Sequence, residues 1–169
     1  MSVNIYDAYI PIYVRAINNT IHLLTKGEAF TKEKGISEAD VMAWRLAPDM
    51  LPFTFQVQTI CNNAKNLLGK ITGIEQAKVE DNEKTFAELH ARLNSTLELL
   101  NGAKREQFEG KDKAEITAGR NGEIKLSGLQ FVQGMGIPNL YFHVTTIYAL
   151  FRSHGAPLGK LDFLRGKDA

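Results

Sequence analysis

The stretch Ile137–Gly155, IPNLYFHVTTIYALFRSHG, constrains the fold of this chain more than any other. Pro138 suits a helix start, where a missing N–H removes no intrahelical bond. Gly155 suits a left-handed helix end. Between them Leu140, Val144, Ile147, Leu150 and Phe151 recur at helical spacing, with His143 in the middle of the apolar stripe. A helix with such a face must bury it against other helices, and the imidazole is buried with it.

Partners for that face are written elsewhere in the chain. Val3, Tyr6, Ile10, Tyr13, Ile17, Ile21 and Leu24 predict a first helix, capped by Ser2 and stopped near Gly27, with a kink or break at Pro11. His22 points away from that stripe and reads as a solvated surface residue. A polar loop is expected over Glu28–Ser37, then a short helix from the Ser37 cap to Ala47. Pro48 and Pro52 interrupt the pattern. Phe53, Val57, Ile60, Cys61, Ala64, Leu67, Leu68 and Ile71 then give the cleanest helical stripe in the chain, ended by Gly73. Cys61 inside it reads as a buried structural thiol. Gln56 lies on its flank, either reaching solvent or half-buried and in need of a partner.

An acidic connection, Gln76–Lys84, leads to a third long helix marked by Phe86, Leu89, Leu93, Leu97 and Leu100, with Gly102 near its end and His90 on its shoulder. The period then changes. Ile116 and Ala118 alternate with polar residues, Asn121-Gly122 follows, and Ile124 and Leu126 alternate again, which predicts a β-hairpin. A lone two-stranded hairpin is marginal in water and must lean on the helices. Leu129–Gln133 reads as a short helical turn. Gly134-Met135-Gly136 reads as a flexible hinge rather than a phosphate-binding loop, because it lacks the third glycine and a βαβ setting. His154, beside Gly155, suits the negative end of the helix dipole. The tail Ala156–Ala169 is expected to be irregular, with Leu158, Leu161, Phe163 and Leu164 packed back onto the bundle.

Residues 1–169 therefore read as a single all-α domain with one small hairpin, long enough to bury its own core. Twenty basic against nineteen acidic side chains leave a net charge of +1, which argues against nucleic acid and against a polybasic membrane patch. No run approaches the roughly 20 apolar residues that cross a bilayer. The first residues do not resemble a signal peptide, and the lone Cys61 excludes an intramolecular disulfide, so a cytoplasmic setting is expected.

Asn139 and His143 stand four residues apart, so their side chains are expected to meet, with Gln56 facing them from a neighbouring helix. Such a cluster has three readings. It is a hydrogen-bonded group that fixes helix register, a metal site in a bundle interior, or a small-molecule pocket with His143 as general acid or base. Ligand count weakens the metal reading, because amides replace the imidazoles and carboxylates such sites use. Trp44, Tyr141 and Tyr148 are candidate aromatic walls for a pocket, or core residues. No Gly-x-Ser-x-Gly elbow is present, and nothing pairs Cys61 with a base.

Three stretches together carry a family resemblance: LAPDMLPFTFQVQTICNNAK (46–65), TFAELHARLNSTLELL (85–100) and IPNLYFHVTTIYALFRSHGAPLGKLDF (137–163). They resemble a microbial family of unknown function in the DinB-like (DinB/YfiT) superfamily of four-helix bundles. That resemblance implies an up-down-down-up bundle, often dimeric. It also implies, in the wider superfamily, a divalent metal held by a histidine of the second long helix and an HxxxH pair of the fourth. By position, His143 matches the second histidine of that pair, Asn139 replaces the first, and Gln56 replaces the histidine on the second long helix. Relatives with intact ligands include thiol-dependent transferases, isomerases and hydrolases.

The expectation is a DinB-like four-helix bundle with a degenerate metal triad and no cofactor. It would bind a small molecule or act as an enzyme of undefined reaction through Gln56, Asn139 and His143, possible as a homodimer. The alternatives are a non-catalytic dimeric scaffold and a divalent-metal-dependent transferase or hydrolase.

Overall fold

A computed structural model describes residues 4–119 and 121–168. Four long helices form the frame: α1 (Ile5–Glu33), α3 (Phe53–Thr72), α4 (Phe86–Gly102) and α6 (Ile137–Ser153). Helix α1 packs on α4 and α6, and α3 packs on the same two, which closes a ring with α1 and α3 diagonal. Short elements fill the connections: α2 (Glu38–Ala43), a 3₁₀ turn over Arg105–Phe108, β1 (Glu115–Ala118), β2 (Ile124–Ser127), α5 (Gly128–Phe131) and α7 (Lys160–Arg165).

Helix α1 starts at an Asn4 cap, whose Oδ1 accepts from Tyr6 N–H at 2.9 Å, while Ser2 lies outside the described residues. It runs unbroken through Pro11 and on past Gly27, against both expectations. The reason is tertiary. A Cβ at position 27 would lie 2.1 Å from ring atoms of Phe151, so glycine is there to admit that ring rather than to end the helix. Phe151 in turn meets Phe53 of α3 at 5.1 Å and Phe86 of α4 at 6.5 Å between ring centres. All four long helices converge on this one side chain.

Local signals hold at several other ends. Ser37 Oγ accepts from Asp40 N–H to start α2, which is shorter than expected and stops at Ala43. Gly73 closes α3 at φ +78°, and Gly155 follows α6 at φ +92°. Thr85 and Glu88 form a reciprocal capping box at the start of α4. The hairpin pairs Ile116 with Leu126 and Ala118 with Ile124. Its connection spans residues 119–123, and among the described residues its positive φ values fall on Gly119 and Gly122 rather than on Asn121, so it is not a two-residue Asn-Gly turn. The expected hinge at Gly134–Gly136 is instead a π-helical turn, Val132–Gly136, running without a break from α5 into α6.

The tail is also more ordered than expected. After buried Leu158 it forms α7 and a 3₁₀ turn, Gly166–Asp168, while Leu161 and Leu164 stay about half exposed rather than packed. His22 is not a free surface residue. Its Nε2 lies 2.8 Å from Asp162 of α7, where Lys26 Nζ also donates at 2.8 Å. Burial alone would raise the Asp162 carboxyl, but the Gly159 N–H, Lys26 and His22 outweigh it and hold the group well below the usual carboxylate range.

Helix interiors ordinarily gain about 0.5–1 kcal/mol when glycine becomes alanine. At position 27 the new methyl would overlap a buried ring, and overpacking costs about 1–3 kcal/mol. Gly27→Ala is therefore expected to lower stability in urea denaturation. Adding Phe151→Leu should cost less than the sum of the two single changes, because the smaller side chain makes room for the methyl.

Candidate functional site

His143 on α6 and Gln56 on α3 are both buried, and the imidazole Nδ1 lies 2.7 Å from Gln56 Oε1. The amide is oriented by a second contact: Gln56 Nε2 donates to the Leu51 carbonyl at 2.8 Å. A carbonyl can only accept, so the nitrogen end of the amide faces Leu51 and the oxygen end faces the ring. Nδ1 of His143 must then carry the proton, and Nε2 is left with its lone pair. Arg92 Nε is the only fully buried side-chain nitrogen or oxygen without a partner among the described residues, so the unpartnered Nε2 of His143 is reached by solvent. Burial lowers the imidazole pKa below its ordinary 6.5, which keeps the ring neutral at pH 7.

Around this pair stand two rings, Phe55 at 6.0 Å and Phe142 at 5.1 Å, both edge-on to the imidazole. Phe142 is 56% exposed and also lines a cleft of about 610 Å³ between α3, the π-turn and α6. Asn63, Asn66 and Asn139 supply amides to that cleft, and Phe131, Met135 and Pro138 supply apolar wall. None of its lining residues is charged. Its floor is braced from below: Tyr13 Oη donates to Asn63 Oδ1 at 2.8 Å, and Asn63 Nδ2 donates to the Gly136 carbonyl at 3.1 Å. Gly136 is needed there, since a Cβ would come 2.7 Å from the Tyr13 hydroxyl.

The expected cluster is thus only partly assembled. Gln56 and His143 meet, but Asn139 is exposed, makes no bond to His143, and opens on the cleft instead. Tyr141 and Tyr148 pack on Phe163 of α7, with ring centres at 6.4 and 6.0 Å. Trp44 stacks on His154 at 3.6 Å and meets Phe151 edge-on, at the end of the bundle. His154 Nδ1 also lies 2.8 Å from the Leu150 carbonyl. His90 sits 3.4 Å from the Glu28 carboxylate.

Sequence reading missed Phe55, Phe142, Asn63 and Asn66. The pair Asn63 and Asn66, three residues apart on α3, was a usable signal for a polar flank. It also missed Arg92, buried on α4, which bonds Asn62, Glu83 and the Glu80 carbonyl and ties down the connection before α4. Cys61 beside it is buried, and burial pushes its thiol up to about 11. A thiol so protonated is a poor nucleophile.

A divalent metal at positions 56, 139 and 143 is not matched by these residues. Gln56 is engaged at both ends, Asn139 faces away, and among the described residues no three His, Cys, Asp or Glu side chains are placed to hold an ion.

Fold and site together define an all-α, DinB-like four-helix bundle with a small hairpin. A family model described as "Domain of unknown function (DUF1993)" matches residues 5–164, and the chain belongs to that family. A crystal structure described as a DinB family member from Shewanella denitrificans superposes with a TM-score of 0.89 at 33% identity, covering 95% of this chain and 91% of that one. No curated protein matches the chain. No helix among the described residues is long and apolar enough to cross a membrane.

Because the folded imidazole titrates below 6.5, the fold favours its neutral form. The contribution is present above pH 6.5 and is lost as pH falls from there through the lower folded midpoint. An NMR titration should give His143 a midpoint below 6.5, with the proton on Nδ1 in the neutral form. His143→Gln should flatten the part of the stability profile between pH 7 and 5.

Proposed function

We propose that this protein binds a small molecule where α3 and α6 meet, with His143 as hydrogen-bond acceptor or general base and without a metal. One observation carries the reading: the Leu51–Gln56–His143 chain holds a neutral imidazole with its Nε2 lone pair open to solvent. Phe142 links that ring to the adjoining cleft, whose 610 Å³ falls in the range of small-molecule sites. Whether the bound molecule is turned over depends on its own chemistry, since a base at Nε2 supplies proton abstraction and nothing more. The lone buried Cys61 suits a cytoplasmic setting.

A second reading, a homodimeric scaffold, is favoured by the exposure of Met135 and Phe142 at the cleft and of Leu51 beside Gln56. A partner copy covering that rim would bury them.

Thermal-shift screening of a metabolite library separates the two. Ligands present at 100 times Kd stabilise by about 2.7 kcal/mol, or roughly 5–10 °C for a chain of this size. Such shifts are expected in wild type, lost in His143→Ala and weakened in Gln56→Leu. Equal shifts in all three proteins would refute a role for the pair. No shifts, together with a dimer in light scattering that Phe142→Asp splits, would support the scaffold.

A further inference from the structure

A second concavity lies away from the α3–α6 cleft, between α1 and the C-terminal segment, with a volume of about 760 Å³. Its α1 wall is one continuous stripe of that helix, and its other wall is α7 with the turn after it. The charges on it are distinctive. Every other described arginine has a polar partner: Arg45 the Met50 carbonyl, Arg92 Glu83, Arg105 Asp7, and Arg152 the Ala156 carbonyl. Arg15 and Arg165 alone have none, and both line this groove, as does the unpaired Lys167. Asp168 is the single carboxylate in the lining. The nearby Asp162 is fully engaged by His22, Lys26 and the Gly159 N–H, so it does not neutralise them. Apolar surface comes from Pro11, Val14, Ile21 and Leu164, the last 47% exposed, alongside neutral polar Asn18, Asn19 and Thr25 and the Asp162-bound His22.

We propose that this groove binds a small organic anion, a carboxylate, phosphate or sulfonate carried on an apolar body. A guanidinium fork pairs with the oxygens of such a head group, and Val14, Ile21 and Leu164 offer apolar surface to its body. The walls come from opposite ends of the chain, so occupancy also clamps the tail onto α1. Nothing in this site depends on His143.

Two fluorescent probes test it. 1-Anilinonaphthalene-8-sulfonate carries the head group, and N-phenyl-1-naphthylamine has the same body without it. The sulfonate is expected to bind wild type and to weaken by about tenfold or more in Arg15→Gln/Arg165→Gln and at high salt. Asp168→Asn should tighten it, and Phe142→Ala should leave it unchanged. Near-UV circular dichroism confirms that each variant keeps native packing. Equal binding of the two probes, or equal sulfonate binding by wild type and the double arginine variant, would overturn the proposal. So would sulfonate binding lost in Phe142→Ala but kept in the arginine variant. Co-sedimentation with phosphatidylglycerol vesicles, abolished by the same arginine changes, would also overturn it by making the groove a membrane contact.

Discussion

The bundle depends on one aromatic ring set against one missing side chain. Phe151 lies against Gly27, and Phe53 and Phe86 close on it from the other two long helices. Interiors packed this closely do not tolerate an added methyl, and they do not tolerate a shifted helix either. The distance of α6 from α1 is therefore set at Phe151, and the register of α6 against α3 with it. His143 stands two turns N-terminal to Phe151 on the same helix, so its meeting with Gln56 follows from that seating.

Polar groups buried along the same seams add direction to packing that apolar contact alone leaves loose. Tyr13, Asn63 and the Gly136 carbonyl join α1, α3 and the π-turn in a single chain of hydrogen bonds. Leu51, Gln56 and His143 join the start of α3 to α6. Arg92 joins α4 to α3 and to the connection before it. Each group would be costly if left unpaired, so a slipped helix would break several bonds at once. The π-turn belongs to this arrangement. It lets the helical run from Gly128 continue into α6 while placing the Gly136 carbonyl over Asn63.

What the sequence shows and what it hides divide along the same line. Apolar spacing located all four long helices, and Ser37, Gly73 and Gly155 marked ends because their effects act within one turn. Gly27 misled because its role is set by a ring 124 residues further on, as the numbering of Gly27 and Phe151 shows. His22 misled for the same reason, its partner Asp162 lying at the far end of the chain. Within α6, spacing brought Asn139 near His143 but did not say which way either would turn. A histidine facing α3 and an asparagine facing solvent are compatible with the same i, i+4 relation. Gln56 was ambiguous by its angle on the helix, and its burial became visible only with Leu51 and His143 in place.

Positions 56, 139 and 143 carry a single imidazole, and two amides stand at the other two. A histidine that binds a metal offers one nitrogen to the ion and steadies the other by donating to an oxygen. Here the steadying half is present, as Nδ1 on Gln56 Oε1, yet no group of three His, Cys, Asp or Glu side chains placed to hold an ion occurs among the described residues. A lone neutral imidazole in an uncharged setting has little hold on a divalent cation, whose binding free energy comes from several anionic or imidazole donors acting together. The same imidazole keeps its full capacity to accept a proton or a hydrogen bond, and burial makes the neutral form the stable one. The cleft next to it carries amides and aromatic rings but no titratable group, while the groove between α1 and the tail gathers unpaired cations. The two linings differ in kind, one offering neutral amides and aromatic rings, the other cations beside aliphatic side chains.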